Sequence, residues 1–128
     1  MPMKLILVTL FAAFFSCAQP QQDATAVKRL TPTEYKQQAD KEGVLLDVRT
    51  KDEFAAGHLQ GADNADYLNG TFAESIKSLD KDKTYYLYCA SGNRSGKAAK
   101  LMQEAGFKNV YNIGGYQELK TAGLPVKE

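Results

Sequence analysis

Short apolar runs alternate along this chain with stretches whose apolar residues recur every three or four positions. The first pattern predicts buried strands and the second amphipathic helices. Residues 27–30 predict a short edge strand. A helix start follows: Thr31 caps, Pro32 suits the first helical position and Glu34 completes a capping box. That helix is expected to run to about Lys41 and stop at Gly43. Val44-Leu45-Leu46-Asp47-Val48 predicts an apolar strand carrying one acid, with a short helix after it over Lys51–Ala56 that ends at Gly57. Residues 58–65 read as a loop. Phe72, Ile76 and Leu79 share one face of a helix expected over 71–79, and Asp80-Lys81-Asp82-Lys83 is a charged turn. Tyr85-Tyr86-Leu87-Tyr88 predicts an aromatic strand that ends at Cys89. Ala98, Leu101, Met102 and Ala105 then mark a helix ending at Gly106. A strand over 109–113, a turn at Gly114-Gly115 and a last short helix over Tyr116–Thr121 complete the pattern.

Continuous apolar strands alternating with helices point to a parallel sheet covered on both sides. The expected class is α/β: an open, mostly parallel sheet of about four to five strands with helices on both faces. Ligands in such sheets bind beyond the carboxyl ends of the strands, where Cys89 falls.

The first 16 residues break from this pattern. Lys4 precedes an apolar run over 5–15 that only Thr9 interrupts. A bilayer needs about 20 such residues, so the run suits the core of a signal peptide rather than a span. Ser16-Cys17 resembles a bacterial lipoprotein signal, in which the leader is cut before a cysteine that then carries lipid. On that reading 1–16 is a signal peptide and 17–26, small, polar and Gln-rich, a lipid-anchored flexible tether. Residues 27–128 are the domain. The expected location is the bacterial cell envelope, held to a membrane on the periplasmic side through Cys17. Phe14 and Phe15 depart from the usual lipoprotein box, so an ordinary secretory peptide, releasing a soluble periplasmic or secreted protein, is the alternative.

A chain of 128 residues suits one domain, and a net charge of +1 without basic runs gives no reason to expect a nucleic-acid partner. There are 2 cysteines, Cys17 and Cys89. With Cys17 lipidated, Cys89 is the sole free thiol. An intramolecular disulfide, a resolving cysteine and a multi-cysteine metal site are then excluded.

Cys89-Ala90-Ser91-Gly92-Asn93-Arg94 joins the end of a strand to the start of a helix. Unpaired amides and the helix dipole stabilise an anion there, so the thiol is expected to ionise more readily than free cysteine. Ala90, Ser91 and Gly92 are small enough for the loop to curl into a nest of amides, with Asn93 and Ser95 alongside. Arg94 is expected to set a cationic fork beside the sulfur. The plainer alternative is a buried cysteine acting as a small hydrophobe.

Three segments together resemble the rhodanese-homology family. The first contains Asp47-Val48-Arg49, Glu53-Phe54, Gly57-His58 and Gly61-Ala62-Asp63-Asn64. The second is the loop from Cys89 to Arg94. The third is Gly114-Gly115-Tyr116 followed by Ala122-Gly123-Leu124-Pro125-Val126, with Tyr116 and Leu119 where tryptophan is frequent. The resemblance covers about residues 27–127. It implies that Cys89 carries a sulfane sulfur as a persulfide, held by the loop amides of Ala90 to Ser95. The donor would be thiosulfate or another persulfide, and the acceptor cyanide, a thiol or a protein. No metal and no organic cofactor is implied. Loops of six residues go with sulfur substrates in this family, and loops of seven with phosphate-ester hydrolysis. A carrier or partner-binding module without turnover is the main alternative, and a phosphatase-like hydrolase a weaker one.

Asp47, Arg49, Glu53 and His58 are read as structural support. Asp47 is placed to accept from loop amides, Arg49 to pair with Glu53, and His58 to link a helix to a strand. Sulfur transfer to an ionised acceptor needs no strong base. Tyr116 is expected at the mouth of the pocket.

Overall fold

The computed structural model describes residues 26–40 and 42–128. The proposed signal peptide, the lipidation site Cys17 and all of the tether but Ala26 lie outside them. The aromatic run forms the central strand of the main sheet, and all of its residues after Thr84 are buried. In chain order the elements are β1 (Lys28–Arg29), α1 (Pro32–Gln38), β2 (Val44–Asp47), α2 (Lys51–Ala56), β3 (His58–Leu59) and β4 (Asp63–Asn64). Next come α3 (Thr71–Ser75), a 3-10 turn (Ile76–Ser78), β5 (Thr84–Cys89), α4 (Asn93–Glu104), β6 (Asn109–Gly115), α5 (Tyr116–Thr121) and β7 (Val126–Lys127).

Five strands pair in the order β1-β6-β5-β2-β4, every pair parallel. Strand alternation sends Tyr85, Leu87 and Cys89 to one face and Tyr86 and Tyr88 to the other. On the first face they pack with Phe72 and Ile76 and with Ala98, Ala99 and Met102 of α4. On the second, Tyr86 and Tyr88 join Ile113, Leu119 and Leu59, with Tyr35 of α1 packed against them. Helices thus cover both faces. Among the described residues no helix is long and apolar enough to cross a membrane.

The local signals explain most boundaries. Thr31 accepts from the Glu34 amide at 3.1 Å, and Thr50 with Glu53 forms a reciprocal capping box at the head of α2. The first helix stops at Gln38 rather than near Lys41. The stretch expected as a plain loop over 58–65 contains β3 and β4. β4 extends the sheet, while β3 pairs antiparallel with β7 in a separate ribbon. Gly114 and Gly115 belong to β6 rather than to a turn. Leu87 pairs with Asn112 and Tyr88 with Gly114, so the ladder skips Ile113 in a bulge. Asn112, two places from Val110, faces α4 with Leu87 and Cys89.

Candidate active site

β5 ends at Cys89, and α4 begins four residues later at Asn93. Gly92 makes the turn between them at φ +91°, in the left-handed region that favours glycine. Gly115 lets the end of β6 pass directly beneath: a Cβ there would lie 2.6 Å from the Ala90 carbonyl oxygen and 3.1 Å from Ser91 Cα.

The result is a loop closed around sulfur. The Gly92 amide donates to Cys89 Sγ at 3.0 Å, and Ser95 Oγ stands 3.4 Å from it. The Cys89 side chain has no exposed surface. Burial pushes the thiol up, but hydrogen bonds from the Ser95 hydroxyl and from the amides of Ser95, Ser91 and Gly92 outweigh it, and the net direction is down. The plain buried-hydrophobe reading does not account for this convergence of donors.

Arg94 is near the sulfur but already paired. Its guanidinium binds Glu53 in a two-bond fork, Nη1 to Oε1 at 2.7 Å and Nη2 to Oε2 at 3.1 Å. The pairing ties the first turn of α4 to that of α2. Hydrogen bonding to Arg94 holds the Glu53 carboxyl at about 2, below its ordinary 4.5. Arg94 is held charged chiefly by Glu53, with a smaller contribution from the Cys89 sulfur. It is therefore a paired cation near the site and not a free fork on the sulfur.

Arg49 in turn does not pair with Glu53. It binds Asp47, with Nη2 to Oδ2 at 2.7 Å, and donates to the Gly57 carbonyl at 2.6 Å. Asp47 accepts from the Arg49 amide, as a buried acid at a strand end does. The guanidinium also stacks 4.3 Å from the Tyr116 ring centroid. Tyr116 therefore belongs to this buried cluster, its hydroxyl close to Gly57, and not to a pocket mouth. His58 stacks on Phe54 at 3.6 Å, and its Nδ1 is 2.8 Å from the Phe54 carbonyl oxygen, a structural placement. Ala90 and Asn93 are exposed on the outside of the loop.

Sequence reasoning missed Asn112. Its carboxamide bonds the Ser95 hydroxyl, the Gly92 carbonyl and the Gly114 amide. The available signal was a polar residue between Tyr111 and Ile113, inside the strand rather than at its end like Asn109. A cleft of about 300 Å³ runs along the outside of the loop, between Ser91, Gly92, Gly114 and the side chains of Arg29, Glu34 and Glu118. Cys89 is not among its walls. Among the described residues, no group of three or more His, Cys, Asp or Glu is placed to hold a metal ion.

Fold and site together define the class: the chain belongs to the rhodanese-like domain family, whose model matches residues 31–122. It is similar to the thiosulfate sulfurtransferase GlpE of Pseudomonas putida strain F1, 37% identical over 78% of this chain and 90% of that protein. Two solved structures share the fold. A rhodanese-related protein from Thermoplasma volcanium has a TM-score of 0.68 at 29% identity, covering 78% of this chain and 97% of the other. A rhodanese-like domain protein from Staphylococcus aureus has a TM-score of 0.67 at 30% identity, covering 80% and 100%.

Proposed function

We propose that this protein is a sulfurtransferase that carries sulfane sulfur as a persulfide on Cys89. The observation that carries the reading is the Cys89 sulfur held by the Gly92, Ser91 and Ser95 amides and the Ser95 hydroxyl at the junction of β5 and α4. The similarity to GlpE, named a thiosulfate sulfurtransferase, supports it.

The chemistry is two displacements. The Cys89 thiolate attacks the outer sulfur of thiosulfate; an S–S bond forms, the donor's S–S bond breaks, and sulfite leaves with the electron pair. Cyanide or a thiolate acceptor then attacks the terminal sulfur. The enzyme's S–S bond breaks and its electron pair returns to Sγ, regenerating the thiolate. The loop amides stabilise negative charge in both steps. Arg94, neutralised by Glu53, acts by fixing the first turn of α4.

The test is intact mass. Incubation with thiosulfate should add one sulfur atom that cyanide removes as thiocyanate, and Cys89→Ser should take up none. An adduct that survives this substitution, or none on the wild type, sinks the assignment. A phosphatase would instead release phosphate from an aryl phosphate.

The full enclosure of Cys89 favours a second reading, a sulfur carrier that shelters its persulfide and turns over little. Stoichiometric loading with slow release to cyanide would select it. We also propose that Cys17 bears a lipid anchoring the domain in a bacterial envelope. A lipid-bearing Cys17 as mature N-terminus supports this, and a mature N-terminus beyond Cys17 refutes it.

A further inference from the structure

A hydroxyl has one proton to donate, and Ser95 stands between two acceptors. Its Oγ is 2.7 Å from Asn112 Oδ1 and 3.4 Å from Cys89 Sγ. The orientation of the Asn112 carboxamide is fixed by two other bonds. Nδ2 donates to the Gly92 carbonyl at 3.0 Å, and Oδ1 accepts from the Gly114 amide at 3.1 Å. Oδ1 only accepts, so while Sγ is uncharged the shorter bond draws the Ser95 proton to Asn112; the longer approach to sulfur is the one the thiolate uses. Asn112 is 2% exposed and Ser95 0%, so water does not replace either partner.

A carboxamide buried in a strand carries a desolvation cost that a leucine would not. The neighbouring helix also gives way to it. A Cβ built at Gly96, inside α4, would come within 3.3 Å of Asn112 Nδ2. Glycine is a poor residue for a helix interior, so room for Asn112 is kept against helix propensity.

Building on the sulfur-transfer reading, we propose that Asn112 is a positioning residue that holds the Ser95 proton while Sγ is uncharged and yields it when Sγ becomes an anion. In the persulfide the charge lies on the terminal sulfur, and the hydroxyl stays with Asn112. When an acceptor removes that sulfur, the electron pair returns to Sγ and the hydroxyl rotates toward it. Ser95 keeps its proton throughout; only the direction of its hydrogen bond changes. Competition from Asn112 limits how far the thiolate is stabilised. That preserves reactivity toward the next donor, because a more stabilised thiolate is a weaker nucleophile.

Without Asn112 the Ser95 proton rests on sulfur in every state. Asn112→Leu should therefore lower the thiol pKa by about half a unit. On the high-pH plateau, where the thiolate is fully formed, it should also slow loading by thiosulfate. Both changes should vanish in a Ser95→Ala background. Ultraviolet thiolate absorbance against pH, with Cys89→Ser subtracted to remove Cys17 and the tyrosines, reads the ionisation. Arg94 is spent on Glu53, so these substitutions leave the charges near the sulfur as they were. Gly96→Ala, favourable to the helix, displaces Asn112 by a few tenths of an ångström and should shift the pKa the same way by less. It decides the matter if Asn112→Leu does not fold. An unchanged or raised pKa, or a shift that persists without the Ser95 hydroxyl, overturns the proposal. The titration is read whether or not the wild type accepts sulfur, so a missing sulfur adduct overturns the transferase reading separately.

Discussion

Cys89 shows how a few short bonds reverse the effect of burial. A thiol removed from water should resist ionisation, yet the Ser95 hydroxyl and the amides of Ser95, Ser91 and Gly92 turn the balance the other way. Loading by thiosulfate should rise with pH and level off below the pH at which free cysteine does, since the thiolate is the nucleophile. Ser95→Ala should move that plateau up by roughly one unit, the worth of one hydrogen bond to a charged group. Stopped-flow loading rates across pH measure it, and a plateau that stays in place removes Ser95 from the account.

Between elements, the decisive contact is β6 passing under the loop. At Gly115 an added methyl meets the Ala90 carbonyl oxygen, which is backbone and cannot turn aside. Gly115→Ala should lift the loop off the sulfur and slow loading roughly tenfold or more, as expected when a hydrogen bond to an anion is lost. The fold should remain, as circular dichroism would report. The Arg94–Glu53 fork joins α2 to α4 and carries a pH signature. Folding depresses the Glu53 carboxyl from 4.5 to about 2. Its stabilisation is thus complete above about 4.5 and is lost as pH falls through about 2. Glu53 is 35% exposed, so solvent screening reduces the pair to on the order of 1 kcal/mol. Urea midpoints of wild type and Glu53→Gln should differ at pH 7 and converge in acid.

Elements built from local chemistry were legible in the chain. Thr31 announces the first helix, and the Tyr85–Tyr88 run announces the buried strand. Cys89 and its small-residue loop were legible too, because their placement follows from the order of strand and helix. Pairings between distant segments were not. Nothing near Arg94 names Glu53, 41 positions away, as its partner. Asp47, two residues from Arg49, took the guanidinium expected for Glu53. The strands β3, β4 and β7 have two residues each, too few to show a period. Asn112 carries no local sign of its role because its partners Gly92 and Ser95 come from the loop and α4.

For the whole molecule, the buried Asp47–Arg49 pair ties separate segments together outside the apolar layers. Arg49 bridges the end of β2, the Gly57 carbonyl after α2, and the Tyr88 and Tyr116 rings. Arg49→Met keeps much of the packing but strands a buried carboxylate. It should cost about 3–5 kcal/mol, a fall in Tm readable by calorimetry. A loss below about 1 kcal/mol would mean that Asp47 finds another partner or a proton.

The sulfur terminates the middle strand of the sheet, where Cys89 pairs with Gly115 of β6, so its cradle is tied to that ladder. Deuterium should therefore enter the Gly92 amide about as slowly as it enters β5 itself, a rare situation for a glycine in a turn. That single amide becomes a clock for the reactive centre. Its exchange should change when the sulfur beside it is loaded, while the rest of β5 keeps its own pace.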